Sequence, residues 1–308
     1  RDDAFSGYEF DYIISNPPFG IDWKRERTQV ESEAKRGFDG RFGPGLPAIS
    51  DGQMLFLLNG VKKLKTGSGR MAIIQNGSSL FTGDAGSGAS EIRRYVIEGD
   101  LVEAIIQMPT DLFYNTGIST YIWVLTKGKT MQRSGRVQLI DASKCYVKRR
   151  KNIGNKRVDL DDACIRLILR AYEGFADETC EESGLIVESK VFDNRFFGFT
   201  KVTVETAQTD EHGKPILKKG KKQPVKGATD TEIIPLSEDI DAYMEKNVLP
   251  YNPLAYIDHA KDKIGYEVPF TRLFYQFVPP TPSDEIFAEI KELEAEEAVL
   301  MKELFGNA

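Results

Sequence analysis

The 308-residue chain has an ordinary globular composition, with 41% hydrophobic and 29% charged residues. This length is enough for one large domain with an extension or for two domains. The formal net charge of −6 argues against a general electrostatic grip on nucleic acid. No stretch approaches the roughly 18 apolar residues that a membrane span needs, and no signal peptide is visible.

The cysteines and histidines indicate neither a disulfide framework nor a metal site. The three cysteines, Cys145, Cys164 and Cys180, are odd in number and lack metal-ligand spacing. The two histidines, His212 and His259, lie far apart in the sequence. We therefore predict no metal ligand and a reducing, cytoplasmic environment.

The most informative stretch lies close to the beginning of the chain, where Asn16-Pro17-Pro18-Phe19 follows the apolar run Tyr12-Ile13-Ile14. The apolar run predicts a buried central strand of an α/β sheet. The prolines end its ladder because they lack an N–H, and the residue before a proline is biased to an extended conformation. Ligands bind beyond the carboxyl ends of such strands. We therefore expect the Asn16 side chain, the Pro17 carbonyl and the Phe19 ring to face a ligand.

This set of groups suits the binding of a planar amine. The Asn16 side-chain oxygen and the Pro17 carbonyl can accept both hydrogens of an exocyclic NH2, while Phe19 stacks on the attached ring. Two acceptors off the ring plane would favour a pyramidal nitrogen and direct its lone pair at an electrophile, which is catalysis by positioning and electrostatics. The alternative is a Pro-Pro turn that only ends a strand.

After this motif, predicted helices and strands alternate along the chain, as expected of a mostly parallel sheet covered by helices. The predicted link between the last two strands is short and not helical, so these two strands should pair antiparallel. The glycine-rich loop at residues 83–88 does not have G-x-G-x-x-G spacing and predicts a flexible loop rather than a nucleotide site. The predicted helices cover residues 50–65 and 90–97, and the predicted strands cover residues 70–76, 101–108 and 120–126.

Asn16-Pro17-Pro18-Phe19 matches the catalytic motif of the S-adenosylmethionine-dependent methyltransferases that act on adenine N6 in DNA. The likeness continues along the chain, which resembles the modification (methylase) subunit of type I restriction-modification systems. The further segments that resemble this subunit are Gly117-Ile118-Ser119-Thr120, Asp230-Thr231-Glu232 and residues 263–272.

The resemblance implies a fold and a set of site residues. The fold would be α/β, namely the C-terminal half of a Rossmann-like methyltransferase sheet, with an α+β extension and a partner-binding helix at the C-terminus. The catalytic residues would be Asn16, Pro17, Pro18 and Phe19. Phe113 would supply a second aromatic ring against a flipped adenine; its alternative role is that of a core residue.

The cofactor, S-adenosylmethionine, has no evident binding residues in this sequence. The cofactor-binding half of such a domain should contain a strand, a Gly-rich turn and an acidic residue after the next strand. We find no such set in this sequence. We therefore expect a fragment in which residues 1–175 form the target-base half of the catalytic domain, without the N-terminal cofactor half. Alone, it should be inactive.

Two basic segments remain open to more than one interpretation. Residues 176–280 are predicted to form the α+β extension, with a lysine-rich insert at residues 210–229. A solubilising loop is favoured for the insert over a DNA-facing arm. Lys148-Arg149-Arg150-Lys151 is predicted to be a solvated surface turn, with contact to a phosphate backbone as the alternative. No role for residues 263–272 follows from their chemistry.

The last predicted element is an amphipathic helix at residues 283–305. Its apolar positions, Ile286, Ile290, Leu293, Leu300 and Leu304, form a heptad seam. By resemblance this helix would pack on the sequence-specificity subunit, and the alternative is that it folds back on its own domain. The other implied partners are DNA and the restriction/translocase subunit, and no membrane is involved.

Two other functions stay open at this point. Asn-Pro-Pro-aromatic motifs also serve methyltransferases that act on a glutamine amide in protein. A chain without the cofactor half could also be an assembly scaffold without catalytic activity.

Overall fold

The computed structural model describes residues 5, 7–277 and 279–306. The chain forms two compact units, Arg1–Phe270 and Thr271–Ala308. The helices are α1 (Arg27–Ala34), α2 (Gln53–Lys63), α3 (Ser78–Phe81), α4 (Gly88–Glu98), α5 (Asp162–Gly174), α6 (Ile240–Asn247), α7 (Phe270–Phe274) and α8 (Ser283–Phe305).

The strands all belong to the first unit. They are β1 (Tyr12–Ser15), β2 (Arg70–Asn76), β3 (Val102–Gln107), β4 (Thr120–Thr126), β5 (Arg136–Asp141), β6 (Val147–Ile153), β7 (Lys156–Asp159), β8 (Glu178–Glu182), β9 (Leu185–Asp193), β10 (Gly198–Ala207), β11 (Leu217–Lys218), β12 (Lys221–Lys222), β13 (Pro224–Pro235), β14 (Ala255–Ile257) and β15 (Lys263–Tyr266).

Seven strands form the main sheet, in the order β1-β2-β4-β3-β5-β9-β8. The β1–β2 and β3–β5 pairs are parallel, whereas β4 is antiparallel to both of its neighbours. The expected α/β fold is thereby confirmed, as is the antiparallel pairing of β3 with β4. The loop that joins them, residues 108–119, contains no helix that would carry the crossover that parallel neighbours usually need.

The core of the sheet follows from its apolar strands. Trp123 and Leu125 on β4 and Ile105 on β3 are fully buried. On α5, Leu167 and Ile168 pack in one cluster with Ile106, Ile140 and Val187 of the sheet. Strands covered in this way read as continuous hydrophobic runs, which explains why the strand predictions at residues 70–76 and 120–126 match the structure.

The position of β1 differs from the prediction. It was expected to be a buried central strand, but it lies at the edge of the sheet. Tyr12 is 75% exposed and Ile14 is 92% exposed. The prediction was wrong because an apolar run reports a preference for burial, whereas burial itself requires a second neighbouring strand and a covering layer. Among the described residues, β1 pairs only with β2.

The sheet continues beyond residue 175, where the catalytic half-domain was expected to end. Both β9 and β8 extend the sheet from β5, and β9 pairs with β5 from Arg136↔Asp193 to Asp141↔Glu188. The expected boundary therefore falls within the sheet. A second sheet, in which β10 pairs with β13, β14 and β15, carries α6 and a separate apolar cluster around Val202 and Ile234.

Two smaller predictions also need correction. Helix α2 begins at Gln53 rather than at residue 50: Gly52 is the N-cap residue, and the Asp51 carboxylate accepts a hydrogen bond from the Gln53 N–H at 3.2 Å. Lys148-Arg149-Arg150-Lys151 was predicted to be a turn but lies within strand β6. Basic side chains are tolerated in a two-stranded hairpin because much of it faces water.

The three cysteines are free thiols, and all are buried. Burial is the main cause that raises the pKa of Cys145 to about 12, so this thiol stays protonated at neutral pH. No helix in the described residues is both long enough and apolar enough to cross a membrane.

Candidate active site

The Asn-Pro-Pro-Phe motif leaves the sheet at the end of β1 and presents unpaired acceptors. Asn16 is exposed, Pro17 is buried and Phe19 is half-buried. Within the described residues, neither the Asn16 side chain nor the Pro17 carbonyl has a hydrogen-bond partner. Gly20 follows with a φ of +64°, a left-handed conformation that glycine adopts without strain. The predicted pair of free acceptors is therefore present.

The topology brings several loops to the same edge of the sheet as this motif. Strands β1, β2, β3 and β5 run in the same direction, so their carboxyl ends share that edge. Three strand spacings separate β1 from β3, a lateral distance of about 14 Å. The loop at residues 108–119, which follows β3, therefore begins on the edge from which Asn16 projects.

The loop after β3 contains the predicted base-stacking residue. Phe113 is half-buried and forms an isolated bridge with Thr116. Its neighbour Tyr114 is 66% exposed, so a second aromatic ring is available on the same loop. Asp111 has a φ of +56°, an uncommon conformation for a residue other than glycine. Within the described residues, no ring contact joins Phe113 to Phe19, so the pairing of the two rings around a base stays a prediction.

A buried polar network at the end of β2 was not predicted. The Gln53 amide nitrogen is 2.7 Å from Asp51 Oδ2, 2.8 Å from Asn76 Oδ1 and 2.5 Å from Ser78 Oγ. The Asn76 N–H donates to Gln53 Oε1 at 3.1 Å. Two sequence signals could have revealed this network: a glutamine on the apolar face of α2, and an asparagine at the end of a buried strand.

The same segment supports the chain that follows the motif. The Gly52 N–H donates to the Ile21 carbonyl at 2.9 Å, and Trp23 Nε1 donates to the Ala48 carbonyl at 3.0 Å. Beside these contacts lies a cavity of about 500 Å³, lined by Pro18 of the motif, by apolar residues such as Trp23 and Leu55, and by charged residues such as Glu33 and Arg41. The motif therefore borders a cavity whose size is typical of small-molecule sites.

The glycine-rich loop at residues 83–88 is held by protein contacts. The Gly86 N–H donates to the Ile264 carbonyl at 3.1 Å, and the Ser87 N–H donates to the Asp84 carbonyl at 2.9 Å. Lys201 Nζ pairs with Asp84 at 2.8 Å, and the hydrogen bond from Lys201 is the main cause that lowers the pKa of the Asp84 carboxyl. The Gly86 and Ser87 N–H groups are therefore used within the protein, and the loop that was expected to be flexible is tied to β15 and β10 by these contacts.

The structure shows a role for the segment that begins at residue 263. Strand β15 joins the second sheet to α4: the Tyr266 N–H donates to Ser90 Oγ at 2.9 Å, and Tyr266 Oη donates to Glu98 Oε1 at 2.9 Å. A Cβ on Gly265 would lie 2.4 Å from the Phe199 ring and 3.0 Å from the Ala85 Cβ. A side chain here would force these neighbours apart, so the segment connects the second sheet to α4 and to the loop before it by close packing.

The sequence model of the N-6 DNA methylase family matches residues 1–212. The chain therefore belongs to the N-6 DNA methylase family, as the Asn-Pro-Pro-Phe motif predicted.

The similar proteins are methylase subunits of type I restriction enzymes. The MjaIX subunit of Methanocaldococcus jannaschii is 30% identical over 156 residues, which are 50% of this chain and 27% of that protein. The HindI subunit of Haemophilus influenzae is 27% identical over 217 residues, which are 68% of this chain and 45% of that protein.

A solved structure supports the same similarity. The methyltransferase subunit of a type I restriction-modification system from Streptococcus thermophilus superimposes with a TM-score of 0.50 and 27% identity. The match covers 62% of this chain and 36% of that one. The chain thus spans less than half the length of each of these relatives.

Proposed function

We propose that this chain forms the target-base side of a DNA adenine-N6 methyltransferase, the modification subunit of a type I restriction-modification complex. The observation that carries the proposal is the pair of unpartnered acceptors, the Asn16 side chain and the Pro17 carbonyl, at the carboxyl edge of the sheet. Family membership and the similarity to type I methylase subunits support it.

The proposed mechanism follows from these two acceptors. Asn16 Oδ1 and the Pro17 carbonyl accept hydrogen bonds from the two N–H groups of the adenine amine. The amine nitrogen then directs its lone pair towards the methyl group. When bound, the donor would supply an electrophilic methyl group: its sulfur–methyl bond would break as the nitrogen–methyl bond forms, and the amine would lose one proton to solvent. The acceptors are fixed by the strand end and the prolines, so little reorganisation is required at the moment of reaction.

Aromatic side chains would hold the base. Phe19 lies three residues after Asn16, and Phe113 is on the loop after β3. Stacking offsets the few kcal/mol that removal of a base from the duplex costs. Pro18 borders the 500 Å³ cavity and would support the turn that places Phe19.

S-adenosylmethionine would supply the methyl group, and we assign it no binding residue in this chain. We infer that its pocket is completed by protein outside these 308 residues. The support is the exposed β1, whose Tyr12 and Ile14 border an apolar depression with Ile168, Leu169 and Tyr172. Apolar side chains of this size on a sheet edge gain free energy when protein covers them.

We expect the 308-residue chain by itself not to bind S-adenosylmethionine detectably in isothermal titration calorimetry, because it contributes only the target-base side. The matched control is the full-length protein, which should bind. Saturable binding by the short chain would contradict the inference that the pocket lies elsewhere, but not the proposed activity.

The proposed partners are DNA, a sequence-specificity subunit and a restriction/translocase subunit. Helix α8 would contact the specificity subunit. Its apolar residues Ile286, Ile290, Leu293, Leu300 and Leu304 are between 44% and 75% exposed, so the predicted heptad seam is not buried within the described residues. A partner helix would cover this seam.

Product analysis tests the proposed activity directly. DNA incubated with the full-length enzyme, its copurifying subunits and the methyl donor should yield N6-methyladenine when it is digested and its nucleosides are separated by mass spectrometry. Methylglutamine in peptide maps, without any methylated adenine, would identify a protein methyltransferase instead. No methylated product of either kind would favour an assembly scaffold.

A further inference from the structure

The basic β6–β7 hairpin, residues 147–159, is built onto the loop that carries Phe113. The Asn155 N–H donates to the Tyr114 carbonyl at 2.8 Å, and the Arg157 N–H donates to the Asp111 carbonyl at 2.9 Å. At the tip, Gly154 has a φ of +58°, and a Cβ there would lie 2.3 Å from the Tyr114 carbonyl oxygen. The hairpin is therefore seated on this loop by close backbone contacts.

The charge of the hairpin is concentrated and only partly neutralised. Residues 148–157 contain six basic side chains and no acidic one, in a chain whose net charge is −6. Asp159 pairs with Arg149 and, at 2.7 Å, with Lys156. The remaining four have no ion-pair partner within the described residues, and all four are exposed: Lys148, Arg150, Lys151 and Arg157.

A cavity of about 300 Å³ lies between the hairpin and the start of the loop. Its charged lining consists of three basic residues, Lys148, Arg149 and Arg157, and one acidic residue, Asp111. Thr110 and Asn152 add uncharged polar groups. Fixed cations beside hydroxyl and amide groups are the usual surroundings of a phosphate.

We propose that the β6–β7 hairpin binds the phosphate backbone of the target DNA strand beside the flipped adenine. This inference rests on the proposed function, and it assigns the backbone contact to a particular element. The hairpin contacts Asp111 and Tyr114, which flank Phe113, so phosphates held there would lie next to a base stacked on that ring. Backbone contacts of this kind set register and orientation, whereas base contacts specify sequence.

The lysine-rich insert, residues 210–229, provides a matched comparison. Like the hairpin, it contains six basic side chains, all of them lysines. The insert follows the C-terminal end of β10 in the second sheet, whereas β15 pairs with the N-terminal end of β10. Both segments are strongly basic and exposed, but only the β6–β7 hairpin is hydrogen-bonded to the loop after β3.

The test compares two variants of the full-length enzyme with its copurifying subunits. One is Arg150→Gln/Lys151→Gln/Arg157→Gln in the hairpin, which leaves the Asp159 ion pairs intact. The other is Lys218→Gln/Lys219→Gln/Lys221→Gln in the insert, which removes the same charge. Binding to a duplex with the target site is measured by fluorescence anisotropy across salt concentrations, without methyl donor. Phosphates needed for binding are mapped by ethylation interference.

We expect the hairpin variant to bind about tenfold or more weakly near 0.1 M salt, with a salt-dependence slope lower by about two to three. Interference should disappear at the phosphates next to the target adenine. The insert variant should retain wild-type affinity and the wild-type interference pattern.

Equal losses in the two variants, or no loss in either, would overturn the proposal, because DNA would then respond to overall charge or to another surface. Weaker binding with unchanged interference at the target adenine would overturn it as well. Because binding is measured without methyl transfer, a lack of methyladenine in the product analysis would refute the proposed activity alone.

Discussion

Replacing Asn16 with alanine in the full-length enzyme should abolish most methyl transfer while subunit assembly stays intact. Within the described residues, the Asn16 side-chain oxygen is an unpartnered acceptor directly after the end of β1. Removal of one preorganised group that stabilises developing charge lowers kcat by about 10²–10³. The measurement is single-turnover transfer of a radioactive methyl group to duplex DNA, with assembly followed by size-exclusion chromatography.

The control for this substitution is Asn76→Ala, which removes another asparagine at the end of a neighbouring strand. Its side chain already accepts from Gln53 at 2.8 Å, so it is not free to accept from a substrate. We expect its effect on single-turnover transfer to be at least tenfold smaller than that of Asn16→Ala. Wild-type transfer by the Asn16 variant would rule out the proposed mechanism.

Replacing Arg93 with methionine should destabilise the chain by about 2–5 kcal/mol. Arg93 has no exposed surface, and its Nε donates to the Tyr266 carbonyl at 2.6 Å while Nη1 donates to the Ser79 carbonyl at 3.2 Å. Burial lowers its pKa to about 10, so it is still charged at neutral pH. Methionine fills a similar volume but leaves both backbone carbonyls buried without donors. The measurement is the free energy of unfolding in urea.

The neighbouring Arg94 is the matched control, because it has the same chemistry on the same helix. Its side chain is 35% exposed and pairs with Glu98 at 3.0 Å. Surface ion pairs contribute about 0–1 kcal/mol, so Arg94→Met should change stability by no more than that. Similar losses for the two variants would show that Arg93 is not the link between α4 and β15.

Residue patterns were a good guide wherever local chemistry decides the structure. The runs at residues 70–76 and 120–126 form strands with those bounds because their short apolar stretches suit a covered sheet. The Asn-Pro-Pro motif ends β1 because prolines cannot donate to a ladder. Gln53 and Arg93 were missed because their roles depend on partners distant in the sequence, at Asn76 and Tyr266.

By itself, the sequence predicted an α/β fold and a strand that ends at the Asn-Pro-Pro motif, and its motifs resembled those of a methylase family. The fold class and the strand end follow from hydrophobic pattern and backbone geometry in short segments. The tertiary structure alone decided that β1 is an exposed edge, that β8 and β9 extend the sheet, and that a basic hairpin is seated on the Phe113 loop. Such features depend on long-range pairing and close packing, and no local pattern of residues specifies which distant segments will meet.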